Sequence, residues 1–87
     1  MSIDKNATIV DVRSPDEFNS EHYLGAINIP LEEVSARIDE FKNMAKPIIA
    51  YCRSGNRSGM AVKILKQNGI ADITNGGGLD DLKEALK

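Results

Sequence analysis

Cys52 is the only cysteine among 87 residues. It stands in "IIAYCRSGNRSGMAVKILKQNG", residues 48–69, where an apolar run meets a turn rich in Gly, Ser, Asn and Arg. By default a lone cysteine is a small buried apolar residue. Four features argue here for a nucleophile instead. Cys52 leaves a strand pattern and enters a loop. The loop that follows, Arg53, Ser54, Gly55, Asn56, Arg57 and Ser58, is built from residues that tolerate left-handed or close backbone geometry, Gly55 and Asn56 most easily. Successive N–H groups of such a loop can point into one concavity and hold an anion. A helix pattern opens at the far end, so its positive end faces the same space. Finally, Arg53 and Arg57 bracket the loop. Each feature favours thiolate over thiol, so the expectation is a thiol pKa drawn from its usual value of about 8.5 to near or below neutral. A thiolate is the reactive form.

Charge is unevenly distributed around this loop. The net charge is −2, with nine of 13 acids at or before Glu40. From Phe41 to Ala71 there is no acid, while Lys42, Lys46, Arg53, Arg57, Lys63 and Lys66 supply six cations. That is a solvated cationic face or a positive field around a small-anion site. The overall balance argues against a dedicated nucleic-acid binder. A Cys–His dyad would need His22, the only histidine, which lies in "EHYLGA" between a short helix and a strand and reads as a turn residue. One Cys and one His fall short of a zinc ligand set, so no metal or other cofactor is expected. What remains is chemistry that needs a thiolate and an anion cradle but little proton transfer.

The elements that must position the loop alternate along the chain. "TIVDV" at 8–12 reads as a buried strand. Ser14 can cap a short helix over about 15–21, with Pro15 in its first turn and Glu17 completing a capping box. "GAINI" at 25–29 is a second strand. Leu31, Val34, Ile38, Phe41 and Ala45 mark one face of a helix over 31–45. "PIIAYC" is apolar enough to be a strand covered on both sides. A helix follows from about Arg57 to Asn68, with Gly69 at its C′ position. "ADIT" at 71–74 is a fourth strand, Asn75-Gly76-Gly77-Gly78 a flexible turn, and Leu79, Leu82 and Leu86 line a last helix. Alternation of this kind predicts an α/β fold, a small parallel sheet with helices on both faces. Such sheets bind ligands beyond the C-terminal ends of their strands, where Cys52 lies. No apolar run reaches a membrane span of roughly 20 residues. The start has no basic segment followed by an apolar one, and one cysteine forms no internal disulfide. A single domain over 1–87, a monomer in a reducing cytoplasmic setting without membrane contact, is the expectation.

"DVRSPDEFNSEHYLGAINIP" followed by "YCRSGNRSGMAVKILKQNGIADITNGGG" resembles the two signature regions of the rhodanese homology domain, the single-domain thiosulfate sulfurtransferases. The resemblance covers about residues 8–86. It implies a rhodanese-like sheet of four to five strands. It also implies that the Cys52 thiolate attacks the outer sulfur of thiosulfate, releases sulfite and carries a persulfide, with backbone N–H groups from Arg53 to Ser58 cradling the transferred sulfur. Cyanide or a thiol then removes it, and a protein can serve as sulfur acceptor. Arg57 matches the family's loop-closing arginine, expected on loop carbonyls or substrate. Arg53, more exposed, is expected to recruit thiosulfate. Asp11 and Arg13 match the first signature and are expected to brace neighbouring loops.

The chain departs from the family pattern at its start. Only seven residues precede Thr8, which leaves four strands, or five if Ser2–Lys5 forms a stub. Leu79 to Leu82 replace an aromatic residue after the late glycines. Three readings compete. The first is a thiosulfate sulfurtransferase. The second is a persulfide carrier or partner-binding module with little activity on free thiosulfate. The third is an arsenate or phosphate-ester enzyme. The relatives that handle tetrahedral oxyanions have five residues between cysteine and arginine, whereas Cys52 and Arg57 have four between them, a ring that suits one sulfur atom better.

Overall fold

The computed structural model describes residues 7–85. Four parallel strands form one sheet in the order β2-β1-β3-β4: β1 Thr8–Asp11, β2 Ile27–Asn28, β3 Ile48–Cys52 and β4 Ile73–Gly78. The α/β architecture is the one the alternating pattern predicts. Ser2–Lys5 and Leu86 lie outside the described residues.

β3 shows how the sheet is covered. Its residues alternate between faces, as the period of a strand demands. Ile48, Ala50 and Cys52 join a cluster with Val10, Val34, Phe41, Ala61 and Leu65. Ile49 and Tyr51 join Leu79 and Leu82 on the other side. All five residues of β3 are buried, which is why its sequence is apolar throughout. The same alternation places Cys52 on the face covered by α4, Asn56–Gln67.

α1, Pro15–Ser20, begins as its sequence predicts: the Ser14 hydroxyl accepts the Glu17 N–H, and the Glu17 carboxylate accepts the Ser14 N–H. This short helix buries no residue of its own. It is tied to α4 by Glu17–Arg57 and to α5, Leu79–Ala85, by Glu21–Lys83.

Two element expectations change. The helix expected over 31–45 is broken into α2, Leu31–Val34, a 3₁₀ turn, Ser35–Arg37, and α3, Ile38–Asn43. Leu31, Val34, Ile38 and Phe41 still pack on one cluster, so the apolar spacing located the face. That spacing does not distinguish α from 3₁₀ backbone between the anchors. Ala45 falls beyond the helix, where its carbonyl accepts the Thr8 hydroxyl at 2.7 Å. The Lys46 ammonium donates to the carbonyls of Phe41, Lys42 and Met44 and closes the end of α3.

The Asn75–Gly78 segment is strand, not turn. Its glycines let backbones approach closely. A Cβ on Gly78 would lie 2.2 Å from the Arg53 carbonyl oxygen, and one on Gly76 would lie 2.9 Å from Ile49 Cγ2. Ala50 pairs with Asn75 and Cys52 with Gly78, so β4 carries one extra residue as a bulge beside the cysteine. Among the described residues no helix is long and apolar enough to cross a membrane.

Candidate active site

The chain runs from β1 to β2 on one side and returns across β1 to β3 on the other, so strand order reverses between β1 and β3. The loops after these two strands therefore open into a common crevice. Asp11 and Arg13 shape the first loop. The Arg13 guanidinium donates to both Asp11 carboxylate oxygens, from Nε at 3.0 Å and Nη2 at 2.7 Å, and its backbone N–H donates to Oδ1 at 2.9 Å. Arg13 Nη2 also donates to the Glu21 carbonyl, and Asn28 Nδ2 donates to the Asp11 and Arg13 carbonyls. Both charges are buried. The expected bracing role is therefore what their contacts provide. Hydrogen bonding to Asp11 raises the Arg13 pKa above its ordinary value, despite burial. Arg13 also lies over the Tyr51 ring, and burial pushes the Tyr51 hydroxyl up to about 12. That hydroxyl accepts the Tyr23 N–H at 2.9 Å.

The second loop carries Cys52. Its side chain is fully buried at the end of β3. Gly55, at φ +94°, turns the chain through the left-handed region and donates its N–H to Cys52 Sγ at 3.0 Å. The Ser58 hydroxyl lies 3.4 Å from the same sulfur. Burial pushes the thiol pKa up. Hydrogen bonds from the Ser58 hydroxyl and from the Ser58, Ser54 and Gly55 N–H groups outweigh that effect, and the net direction is down. α4 starts at this loop with no side-chain cap, which leaves first-turn N–H groups for the sulfur.

The six loop residues expected to bind substrate divide into groups. Ser54, Gly55 and Ser58 aim donors at the sulfur. Arg53 and Asn56 have exposed side chains. The Arg53 side chain lines an open cleft of about 440 Å³ with Arg13, Asp16, Glu17, Ser20 and Glu21. The Arg57 guanidinium is held by the Glu17 carboxylate through two hydrogen bonds, of 2.8 and 3.0 Å, where loop carbonyls or substrate were expected. That pair holds the Glu17 carboxyl down at about 2 and raises Arg57. The positive field is thus thinner than the count of cations suggested, since Arg57 is paired and Lys46 caps a helix. His22 stacks on Phe18 at 3.7 Å between ring centroids, and its Nδ1 donates to the Phe18 carbonyl.

Sequence reasoning missed two residues. Asn75 holds the loop from β4: its amide donates to the Gly55 carbonyl at 3.0 Å, and its oxygen accepts from the Ser58 hydroxyl at 2.6 Å and the Gly77 N–H at 2.9 Å. Asp81 accepts the Gly78 N–H at 2.9 Å. An Asn before three glycines signals a turn in sequence, and nothing local shows that it faces a loop 20 residues away.

Residues 1–85 match the family model for the Rhodanese-like domain. Among curated proteins, the chain is 42% identical over 74 residues to the "Thiosulfate sulfurtransferase PspE" of Escherichia coli, covering 84% of this chain and 71% of that protein. It is 42% identical over 71 residues to "Uncharacterized protein YqhL" of Bacillus subtilis, covering 82% of this chain. It is also 38% identical over 72 residues to that organism's "Putative sulfur carrier protein YrkF", covering 83% of this chain. The chain spans 56% and 38% of the lengths of those two Bacillus proteins. The solved structure described as "rhodanese with anions from E. coli" superposes with a TM-score of 0.78 at 41% identity, over 86% of this chain and 89% of that one.

Proposed function

Because the chain belongs to the rhodanese-like family, we propose that it acts as one domain that moves sulfane sulfur from thiosulfate to a thiol or cyanide through a persulfide on Cys52. The observation that carries this reading is the aim of the Gly55 N–H, with the N–H groups of Ser54 and Ser58, at a buried Cys52 Sγ. Donors that favour a thiolate also stabilise the negative charge of a persulfide. Arg53, exposed at the mouth of the loop, recruits the thiosulfate dianion. The thiolate forms a bond to the outer sulfur as the S–S bond of thiosulfate breaks, and sulfite leaves. The N–H groups of Ser54, Gly55 and Ser58 hold the transferred sulfur. An acceptor thiolate or cyanide then takes that sulfur and regenerates the Cys52 thiolate. Neither half requires a strong general acid, because sulfite and thiolate both leave as anions.

The likeness to a protein named as a putative sulfur carrier favours a second reading, in which Cys52 is loaded by a protein persulfide and delivers sulfur to a protein acceptor. Intact-mass measurement after brief exposure to thiosulfate, without reductant, separates the two. A gain of one sulfur atom that cyanide removes and Cys52→Ala abolishes is the expected result. Absence of that gain, with loading by a protein persulfide donor, would give the carrier reading precedence.

A further inference from the structure

The Ser58 hydroxyl carries one hydrogen and stands between two acceptors. Asn75 Oδ1 lies 2.6 Å from Ser58 Oγ, and Cys52 Sγ lies 3.4 Å from it. Two backbone groups fix the orientation of Asn75. Its Nδ2 donates to the Gly55 carbonyl at 3.0 Å, and its Oδ1 accepts the Gly77 N–H at 2.9 Å. A flipped amide would set donor against donor and acceptor against acceptor at these two contacts. The atom facing Ser58 is therefore an oxygen, which can only accept. Ser58 must give it the hydrogen, and then shows only lone pairs to Cys52. That arrangement suits a thiol, whose S–H can donate to Ser58 Oγ, and it opposes a thiolate. To meet a thiolate the hydroxyl must rotate toward Sγ, which leaves Asn75 Oδ1 with the Gly77 N–H alone.

We propose that Asn75 is a positioning residue that competes with the Cys52 thiolate for the single hydrogen of Ser58, making that hydroxyl a two-position switch that follows the charge on sulfur. This deepens the sulfur-transfer reading and rests on it. In the loading step the thiolate electron pair forms the Sγ–S bond while the S–S bond of thiosulfate breaks and its pair departs with sulfite. Negative charge moves from Sγ to the outer sulfur, and the Ser58 hydrogen returns to Asn75. When the acceptor takes the outer sulfur, the pair of the Sγ–S bond returns to Sγ, and the hydroxyl turns back to receive it. Asn75 gives the hydroxyl a resting partner in the loaded state, so a buried donor is satisfied in both halves of the cycle.

Other charged groups surround the loop: Arg57 of α4 with Glu17 of α1, Arg13 with Asp11 at the end of β1, Arg53 of the loop itself, and Asp81 of α5 against Gly78. A double-mutant cycle on Asn75 and Ser58 leaves all of them in place and isolates the shared hydrogen.

The test is the titration of Cys52 in the resting protein, read from thiolate ultraviolet absorbance and from the pH dependence of iodoacetamide alkylation. It needs no sulfur transfer, so it can fail while thiosulfate loading succeeds, and the reverse. Asn75→Ala should lower the thiol midpoint by roughly one pH unit, because the freed hydrogen goes to the thiolate. Ser58→Ala should raise it, and adding Asn75→Ala to Ser58→Ala should give no comparable drop. An unchanged or raised midpoint in Asn75→Ala, or an equal drop in the Ser58→Ala background, overturns the proposal. Should a variant not fold, the wild-type protein still decides. The Gly77 amide proton should move downfield through the thiol midpoint, because Asn75 Oδ1 then serves it alone. A Gly77 resonance that does not follow that titration overturns the switch.

Discussion

Arg57 and Glu17 meet across 40 residues of sequence through two parallel hydrogen bonds, and the pair joins the helix that starts at the cysteine loop to the helix that follows β1. Glu17 has a second duty, since it also accepts the Ser14 N–H in the capping box. One carboxylate thus caps α1 and anchors α4. Side-chain exposure of 38% for Arg57 and 28% for Glu17 leaves the pair open to solvent and salt, which limits its worth. Glu17→Gln should destabilise the protein by about 1 kcal/mol at neutral pH. The Glu17 carboxyl is held down from 4.5 to about 2, so its contribution is present above pH 4.5 and lost as pH falls through about 2. The stability gap between wild type and Glu17→Gln, followed by urea unfolding, should therefore close toward pH 2. A gap that persists there would mean the substitution acts through something other than the charge.

Gly78 packs against the Arg53 carbonyl with no room for a side chain. A Cβ at residue 78 would lie 2.2 Å from that oxygen and 3.3 Å from the Asp81 carboxylate. The oxygen is main chain and moves only with the loop. Gly78→Ala should cost roughly 1–3 kcal/mol by overpacking, and should lower sulfur transfer beyond what the unfolded fraction explains. Thermal unfolding and turnover measured on one preparation check both parts. Full transfer activity in the folded fraction would show that the loop tolerates the shift.

These two contacts mark the boundary of what the sequence made legible. Cys52, its loop and the parallel α/β plan could be read from local signals: an apolar run, a turn composition and a capping box. The Asp11–Arg13 brace was legible through two residues of one signature. Arg57 was legible as a loop residue, but its partner was not, because Glu17 had a complete local explanation as a capping residue. Gly76 to Gly78 read as a turn because a run of glycines records missing side chains without recording what occupies their place. The neighbours that exclude a Cβ there, Ile49, Leu82 and the Arg53 carbonyl, are known only once the strands are paired. Asn75 was hidden for the same reason.

Asp11 and Arg13 form a buried ion pair whose removal should be costly. The Asp11 side chain is 0% exposed and that of Arg13 8%. Removing one partner leaves the other charge buried without compensation, and Asp11→Asn should cost roughly 3–5 kcal/mol. That is a large share of the stability of a domain this size. Urea midpoints for wild type and Asp11→Asn measure it. A cost below that of Glu17→Gln would mean that Arg13 finds another acceptor, and its existing bond to the Glu21 carbonyl makes that the group to inspect.

Arg53 differs from these residues because its side chain is exposed at the cleft. On the proposed reading, its contribution to transfer is electrostatic attraction of the donor. Arg53→Ala should raise the thiosulfate KM roughly three- to fivefold while kcat changes little, since binding lost equally from ground and transition states appears in KM alone. The wild-type KM should rise with ionic strength more steeply than that of the variant. Equal salt dependence in both proteins would remove Arg53 from donor recruitment.

Cys52 links the chemistry to stability through pH. Burial raises the thiol pKa, the donors from Ser58, Ser54 and Gly55 lower it, and the net direction is down from the ordinary value. Between the folded and unfolded midpoints the unfolded chain binds more protons at this thiol, so folding is favoured as pH rises through that window. Cys52→Ser removes the titration and, with it, a nucleophilic anion near neutral pH, so transfer should be abolished with the fold retained. The stability of wild type relative to Cys52→Ser should stay flat below the folded midpoint. It should then rise by at most about 1.4 kcal/mol per pH unit and level off above the midpoint of an unfolded thiol. Paired urea unfolding curves across this range provide the measurement. A difference that falls with pH would mean that burial outweighs the donors, and that the resting cysteine is a thiol at the pH where it must attack.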